Sequence, residues 1–200
     1  MSRCIQIFAK APIPGKVKTR LQPALSADDC ARLSRDMIQH SIKVATDLAG
    51  TSVELWCFPN EDHPFFQQLA DEFPLELHTQ CGVNLGDRMH FALNQALETH
   101  QAAQLIGSDC PFYTQEYLRY GFELLETPSQ VIIGPATDGG YLLIGSNQSL
   151  PESIFNNIAW GTDTVFRETL DRLQDIAITP RLLPSLSDID RPEDLKHFRR

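Results

Sequence analysis

Short apolar runs alternating with segments of helical period constrain this chain more tightly than any other feature. The stretch Cys4-Ile5-Gln6-Ile7-Phe8-Ala9 has the pattern of a buried strand and is stopped by the prolines and glycine of Lys10-Ala11-Pro12-Ile13-Pro14-Gly15. Ser26 is placed to cap a helix with Asp28 and Asp29 in its first turn, where the helix dipole favours negative charge. Leu33, Met37, Ile38 and Ile42 then recur at helical spacing to about Ala49, before Gly50. The same reading predicts strands over 52–58, 75–79, 103–107, 130–136, 141–145 and 176–183. It predicts helices over 63–71, 86–100, 114–125 (capped by Thr114), 162–173 (capped by Thr162) and 192–199. Strands that alternate with helices form βαβ units, so the expected fold is α/β, a three-layer αβα sandwich around a mostly parallel sheet. The pair 130–136 and 141–145, joined by Thr137-Asp138-Gly139-Gly140, reads as an antiparallel hairpin within it.

With 200 residues and no linker, repeat or low-complexity stretch, the chain is expected to form a single domain over 1–200. The longest apolar runs, such as Val131-Ile132-Ile133, fall far below the roughly 20 residues of a membrane span. The first residues read as a strand with no cleavage site, so a cytoplasmic location is expected. The cysteines, Cys4, Cys30, Cys57, Cys81 and Cys110, are odd in number and contain no CxxC pair, against a disulfide framework or a zinc site. Cys4, Cys30, Cys57 and Cys81 read as small buried apolar residues, whereas Cys110 follows an acidic residue in a suspected site.

A formal net charge of −9 opposes nonspecific nucleic-acid binding. Its distribution is more telling. Arg3, Lys10, Lys16, Lys18 and Arg20 all precede the first acidic residue, Asp28. An acidic protein that gathers its positive charge in one loop has an anion to bind, or carries solvated lysines there. Two prolines stiffen that loop, which lowers the entropy cost of presenting cations to phosphates. It matches neither GxxxxGK[ST] nor GxGxxG.

In a sheet of this type ligands bind beyond the carboxyl ends of the strands, and other polar segments fall there. Gly107-Ser108-Asp109-Cys110-Pro111 puts a carboxylate at a strand end, suited to holding Mg²⁺ against a diphosphate or to a simple turn. Asp188 and Asp190 lie two apart, on one face of an extended segment, and either can join Asp109 around a cation or cap the next helix. Asp138 beside Gly139 and Gly140 can orient a hydroxyl or amine, or close a tight hairpin. Gln80 and Asn84 offer amides to a base or ribose, and Arg88 a charge to a phosphate.

In order, the motifs are K-x-P-x-x-G-x-x-K-T-R-L from Lys10, Q-x-G-x-x-L-G-x-R-M from Gln80, G-S-D-C-P from Gly107, G-P-A-x-D-G-G-Y-x-L-I-G from Gly134 and D-x-D-x-P-x-D-L from Asp188. Together, over Ile5 to Leu195, they resemble bacterial transferases of the DUF2064 type, named as glycosyltransferases in arsenosugar- and selenium-associated gene sets. That family is similar to 2-phospho-lactate guanylyltransferase and, more remotely, to the molybdenum cofactor guanylyltransferase. The resemblance implies the nucleotide-diphospho-sugar transferase (GT-A, Rossmann-like) fold. It also implies Mg²⁺ (or Mn²⁺) as cofactor and transfer of a nucleotidyl or glycosyl group to a small-molecule acceptor. The donor would be a nucleoside triphosphate or a nucleotide sugar.

By the same resemblance Lys10, Gly15, Lys18 and Arg20 hold the donor's phosphates, and Gln80, Gly82, Leu85, Gly86 and Arg88 its nucleoside side. Asp109 and Asp190 hold the metal, and Asp138, Gly139 and Gly140 face the acceptor. Lys18, Arg20, Asp109 and Asp138 carry the catalysis. Phe112 and Tyr113 stand where many members have an acid and a leucine, and the guanylyltransferases' G-x-G-x-R loop is replaced by the longer Pro-Gly-Lys version. The choice of base therefore does not transfer. A catalytically inactive nucleotide sensor on the same fold is the alternative, opposed by the intact Asp109, Asp188 and Asp190.

Overall fold

Sheet and helices follow the predicted alternation. The computed structural model describes residues 2–128 and 130–198. The strands are β1 (Arg3–Lys10), β2 (Thr51–Phe58), β3 (Glu76–Thr79), β4 (Ala102–Gly107), β5 (Val131–Pro135), β6 (Tyr141–Ser146) and β7 (Arg181–Leu182). The helices are α1 (Ala27–Thr46), α2 (Pro64–Glu72), α3 (Leu85–Thr99), α4 (Gln115–Leu124), α5 (Val165–Asp175) and α6 (Leu195–Phe198). The sheet order is β3-β2-β1-β4-β6-β5-β7. Neighbours are parallel except for β6, which runs antiparallel to both β4 and β5.

Period-two alternation along β1 sorts the core into two layers. Ile5, Ile7 and Ala9 face α1, α2 and α4 through Ile38, Ile42, Phe66, Leu69, Leu118 and Phe122. Cys4 and Phe8 face α3 and α5 through Met89, Leu93, Ala96 and Leu173. Each such aliphatic or aromatic side chain contributes roughly 1.5–3 kcal/mol on burial. A third cluster joins Leu21, Cys30, Leu33 and Met37 to Ile189, and so pins the C-terminal segment against α1.

Caps set the helix ends. Ser26 accepts from the Asp29 N–H, Thr114 from the Tyr117 N–H, and Asn84 forms a capping box with Asp87.

Three expectations are corrected. Thr162 does not cap α5, which begins at Val165; its hydroxyl donates instead to the Ala159 carbonyl. The strand predicted over 176–183 shrinks to Arg181–Leu182, because Ala177 takes a left-handed φ of 58° that no strand continues through. The last helix begins at Leu195, and its predicted end at Arg199 lies outside the described residues.

Strand order places the site. β1 leads to β2 on one side while β4 lies on the other, so the crevice between the carboxyl ends of β1 and β4 is the topological switch point of the parallel region.

Candidate active site

Beyond β1 the chain turns through Gly15, at φ 77°, into a 3₁₀ turn over Thr19–Leu21. Leu21 anchors that turn in the small third cluster. Lys18, just before it, is held at φ 50° in the left-handed region, a conformation costing on the order of 1–2 kcal/mol for a non-glycine residue. Its side chain explains why the strain is tolerated. Only 3% exposed, it ion-pairs with Asp109 Oδ1 at 2.9 Å and donates to the Ile189 carbonyl. Backbone pairing reinforces this junction, since the Ile189 N–H donates to the Asp109 carbonyl.

The C-terminal segment reaches this point from the far side of the sheet. Leu183 donates to Ile133, Leu186 to Pro135, and Thr137 back to Leu186. Asp188 and Asp190 therefore flank Ile189 beside the end of β4. Arg20 closes the group by pairing with Asp190 at 2.6 Å. The Asp194 carboxylate accepts from the N–H groups of Asp190 and Arg191, which fixes the turn ahead of α6.

A cavity of about 530 Å³ opens at the switch point, lined by Lys10, Lys16, Lys18, Arg20, Arg88, Gln80, Leu85, Asp109 and Asp190, among others. The predicted phosphate, metal and nucleoside-side residues thus converge from four separate stretches of chain. A second cavity of about 540 Å³ shares Arg20 and Asp190 with the first. It adds Asp138, Asp163, Asp188, Arg191 and Asp194.

The charge of the two hollows differs in sign. Cations dominate the first and carboxylates the second. Burial, then Asp138, pushes the Asp188 carboxyl up to about 6. Desolvation is the larger cause, and the neighbouring Asp138 carboxylate adds to it. Asp188, Asp109 and Asp190 are hard oxygen donors of the kind Mg²⁺ takes, although their carboxylates do not all lie within 4.8 Å of one another.

Several predicted residues have structural work instead. Asn84 caps α3. Gln80 uses its amide N–H₂ on the Trp56 and Ala9 carbonyls, which leaves its carbonyl oxygen for a ligand. Arg88 donates from Nε to the Gly82 carbonyl and stacks over Phe58 at 4.6 Å. Among the described residues lining the two cavities, Gly15, Gly82, Gly86, Gly139 and Gly140 are not found.

Chain packing explains the motif glycines. A Cβ at Gly82 would meet Asp87, one at Gly86 would meet Phe155 and Trp160, and one at Gly139 would sit 2.2 Å from the Asp163 carbonyl oxygen. Gly139 therefore admits another stretch of chain rather than a ligand. Gly140 donates its N–H to Asp138 Oδ1, which orients that carboxylate at the wall of the second cavity.

The cysteine expectation is also corrected. Cys81 is the exposed thiol, and Cys110 is buried, its thiol pushed up to about 11 first by desolvation. Tyr113 is fully buried and donates to the Leu142 carbonyl at 2.7 Å, so it fills core rather than site, whereas Phe112 is exposed. Sequence reasoning placed Lys16 in the cationic loop without assigning it to the donor, and it missed Asp163 and Asp194 as cavity-lining residues. Nothing local in the sequence marks Asp163.

Residues 40–162 match the profile of a family described as "uncharacterized protein conserved in bacteria (DUF2064)". Among solved structures, a candidate nucleotide-diphospho-sugar transferase from Desulfovibrio desulfuricans G20 is similar over 100% of this chain and 87% of its own, with 31% identity and a TM-score of 0.89. A 4-diphosphocytidyl-2C-methyl-D-erythritol synthase is similar over 100% of this chain and 98% of its own, with 10% identity and a TM-score of 0.65. CMP:2-keto-3-deoxy-manno-octonic acid synthetase, complexed with CTP, covers 100% and 97% at 14% identity and a TM-score of 0.55. The two lower-identity likenesses bear on the fold alone. The three-layer architecture is that of the nucleotide-diphospho-sugar transferases. No curated protein matches this chain, and no helix among the described residues is long and apolar enough to cross a membrane.

Proposed function

The chain belongs to the DUF2064 family of bacterial proteins, and from that premise we propose that it is a divalent-metal-dependent transferase that binds a nucleotide donor in the first cavity and a small acceptor in the second. One observation carries the proposal: the cavity at the β1/β4 switch point gathers Lys10, Lys16, Lys18, Arg20 and Arg88 around Asp109 and Asp190. The related solved proteins named above, one of them complexed with CTP, support a nucleotide as the donor.

Nucleotidyl transfer fits this cavity best. Several cations match the charge of a triphosphate and of the pyrophosphate that leaves when an acceptor oxygen attacks the α-phosphorus. Arg20, whose side chain is 59% exposed, is placed to reach the leaving phosphates. Lys18 positions the Asp109 carboxylate and adds positive charge at the same wall. Asp109 and Asp190, with Asp188 beside them, would hold Mg²⁺, which supplies charge neutralisation on the phosphate oxygens.

The second cavity favours a second reading. Its carboxylates suit a neutral or cationic hydroxyl or amine acceptor rather than a phosphate. Asp138, oriented by Gly140, is positioned as a base for such a hydroxyl, which supports glycosyl transfer from a nucleotide sugar.

Calorimetric titration with nucleoside triphosphates and sugar nucleotides, with and without Mg²⁺, tests both. Triphosphate binding with pyrophosphate release supports nucleotidyl transfer, and selective binding of a sugar nucleotide supports glycosyl transfer. If neither class binds with Mg²⁺ present, the proposal is wrong.

A further inference from the structure

A second group of ligand-type side chains lies at the opposite edge of the sheet. Cys4 near the start of β1, Glu54 on β2 and His100 at the end of α3 place one donor atom each within 4.8 Å of one another. Among the described residues this is the group of three or more Cys, His, Asp or Glu donors that meets so closely.

The fold brings them together in three steps. Cys4 pairs in register with Ser52, and Gln6 with Glu54. Alternation then puts Cys4, Gln6, Glu54 and Trp56 on the face that α3 covers. The C-cap of α3 delivers His100 to that face.

The surroundings orient each donor. Glu54 Oε2 accepts from Gln6 Nε2 at 2.8 Å and from Trp56 Nε1 at 2.9 Å, which fixes the carboxylate and leaves Oε1 for another partner. His100 Nδ1 contacts both the Ala96 carbonyl at 3.2 Å and the Thr99 hydroxyl at 3.0 Å, which hold the ring in place. In the tautomer with the hydrogen on Nδ1, which then donates to the carbonyl, Nε2 keeps the free lone pair. A carbonyl on one ring nitrogen and amide or indole donors on a carboxylate are the outer partners that metal-binding His and Glu characteristically have. A hollow of about 300 Å³, lined by Ser52, Glu54, Pro74, Glu76 and His100, reaches two of the three residues, and Cys4 lies buried behind them. Glu76, the cross-strand neighbour of Glu54, is exposed at its wall.

We propose that Cys4, Glu54 and His100 form a binding site for a borderline-soft divalent cation, Zn²⁺ by preference, with the fourth position filled by water or Glu76. A thiolate, an imidazole and a carboxylate suit Zn²⁺ and not Mg²⁺. In a tetrahedral shell with bonds of about 2.0–2.3 Å, donor atoms lie about 3.3–3.8 Å apart, so shifts on the order of 1 Å close the site. As the sulfur–metal bond forms, the Cys4 Sγ–H proton passes to solvent. The ion would tie β1, β2 and the end of α3 together, away from the transferase site and independent of its chemistry.

Co²⁺ is the probe, because thiolate-to-cobalt charge transfer absorbs in the near ultraviolet whereas oxygen ligation does not. The titration uses tag-free full-length protein carrying Cys81→Ser, which removes the exposed thiol. One equivalent of Co²⁺ is expected to produce the band, Zn²⁺ to displace it, and excess Mg²⁺ to leave it. Cys4→Ser abolishes the band. His100→Gln, at a partly exposed position, keeps the fold and weakens Co²⁺ affinity at least about tenfold. A parent protein without the band overturns the proposal. So does a band that survives Cys4→Ser, is lost to Mg²⁺, or keeps its affinity in His100→Gln.

Discussion

Replacing Lys18 by Met separates the work this side chain does for the fold from its work on a ligand. Met keeps an apolar stem of similar length while removing Nζ. Two interactions go with it: the bond to the Ile189 carbonyl, in a segment whose side chain is fully buried, and the 2.9 Å pair with Asp109. The orphaned carbonyl costs about 1–3 kcal/mol. The ion pair adds little, because the Asp109 carboxylate is 54% exposed and water screens it.

A total near 2 kcal/mol in a chain of this size lowers Tm by about 4–8 °C. Calorimetry in EDTA, without nucleotide, reads this effect alone. Donor titration at a temperature where both proteins are folded then reads the second effect, a loss of about 1.5–3 kcal/mol for a charged hydrogen bond to phosphate. A variant with the wild-type Tm would refute the view that Lys18 clamps the C-terminal segment to β4. Wild-type donor affinity would remove it from the phosphate site.

Asp109→Asn preserves size and fold but removes a hard ligand, so metal-dependent turnover falls at least about 10²-fold, or ~2.7 kcal/mol of barrier, with Tm nearly unchanged. Gly139→Ala forces a Cβ to within 2.2 Å of the Asp163 oxygen at φ 93°, so Tm drops by more than the few degrees of an ordinary Gly→Ala change; an unchanged melt would contradict the packing described. Thiol titration of the native protein reads one fast cysteine, Cys81, and denaturant reveals all 5. Because burial and Asp138 raise the Asp188 carboxyl to about 6, its ionisation opposes folding as pH rises from about 4 through 6, and the penalty is complete above that. Asp188→Asn in EDTA is therefore expected to be more stable than wild type at pH 8, by about 1 kcal/mol after allowance for solvent screening, and no more stable at pH 4. Equal stability at both values would show that the carboxylate is not under that strain.

The αβα layering and the parallel sheet were legible in the sequence because they rest on local periodicity. Apolar alternation in β1 and the helical spacing of Leu33, Met37, Ile38 and Ile42 report burial directly. Capping signals were readable where side chain and N–H lie three residues apart, as at Ser26 and Thr114. The same local logic failed at Thr162 and over 176–183, where left-handed turns and contacts with distant chain override propensity. Composition marked the cationic loop as a place for an anion.

Only the tertiary structure decided what that loop faces. Burial of Leu21 and Ile189 in one cluster, and the Lys18 clamp across 171 positions of sequence, bring the C-terminal acids to the end of β4. It also decided which glycines admit chain rather than ligand, which cysteine meets solvent, and that carboxylates gather in a hollow beside the cationic one. Periodicity carries information about neighbours within a few residues. Electrostatics and packing at a site depend on separations through space, and those are set only when the chain has closed on itself.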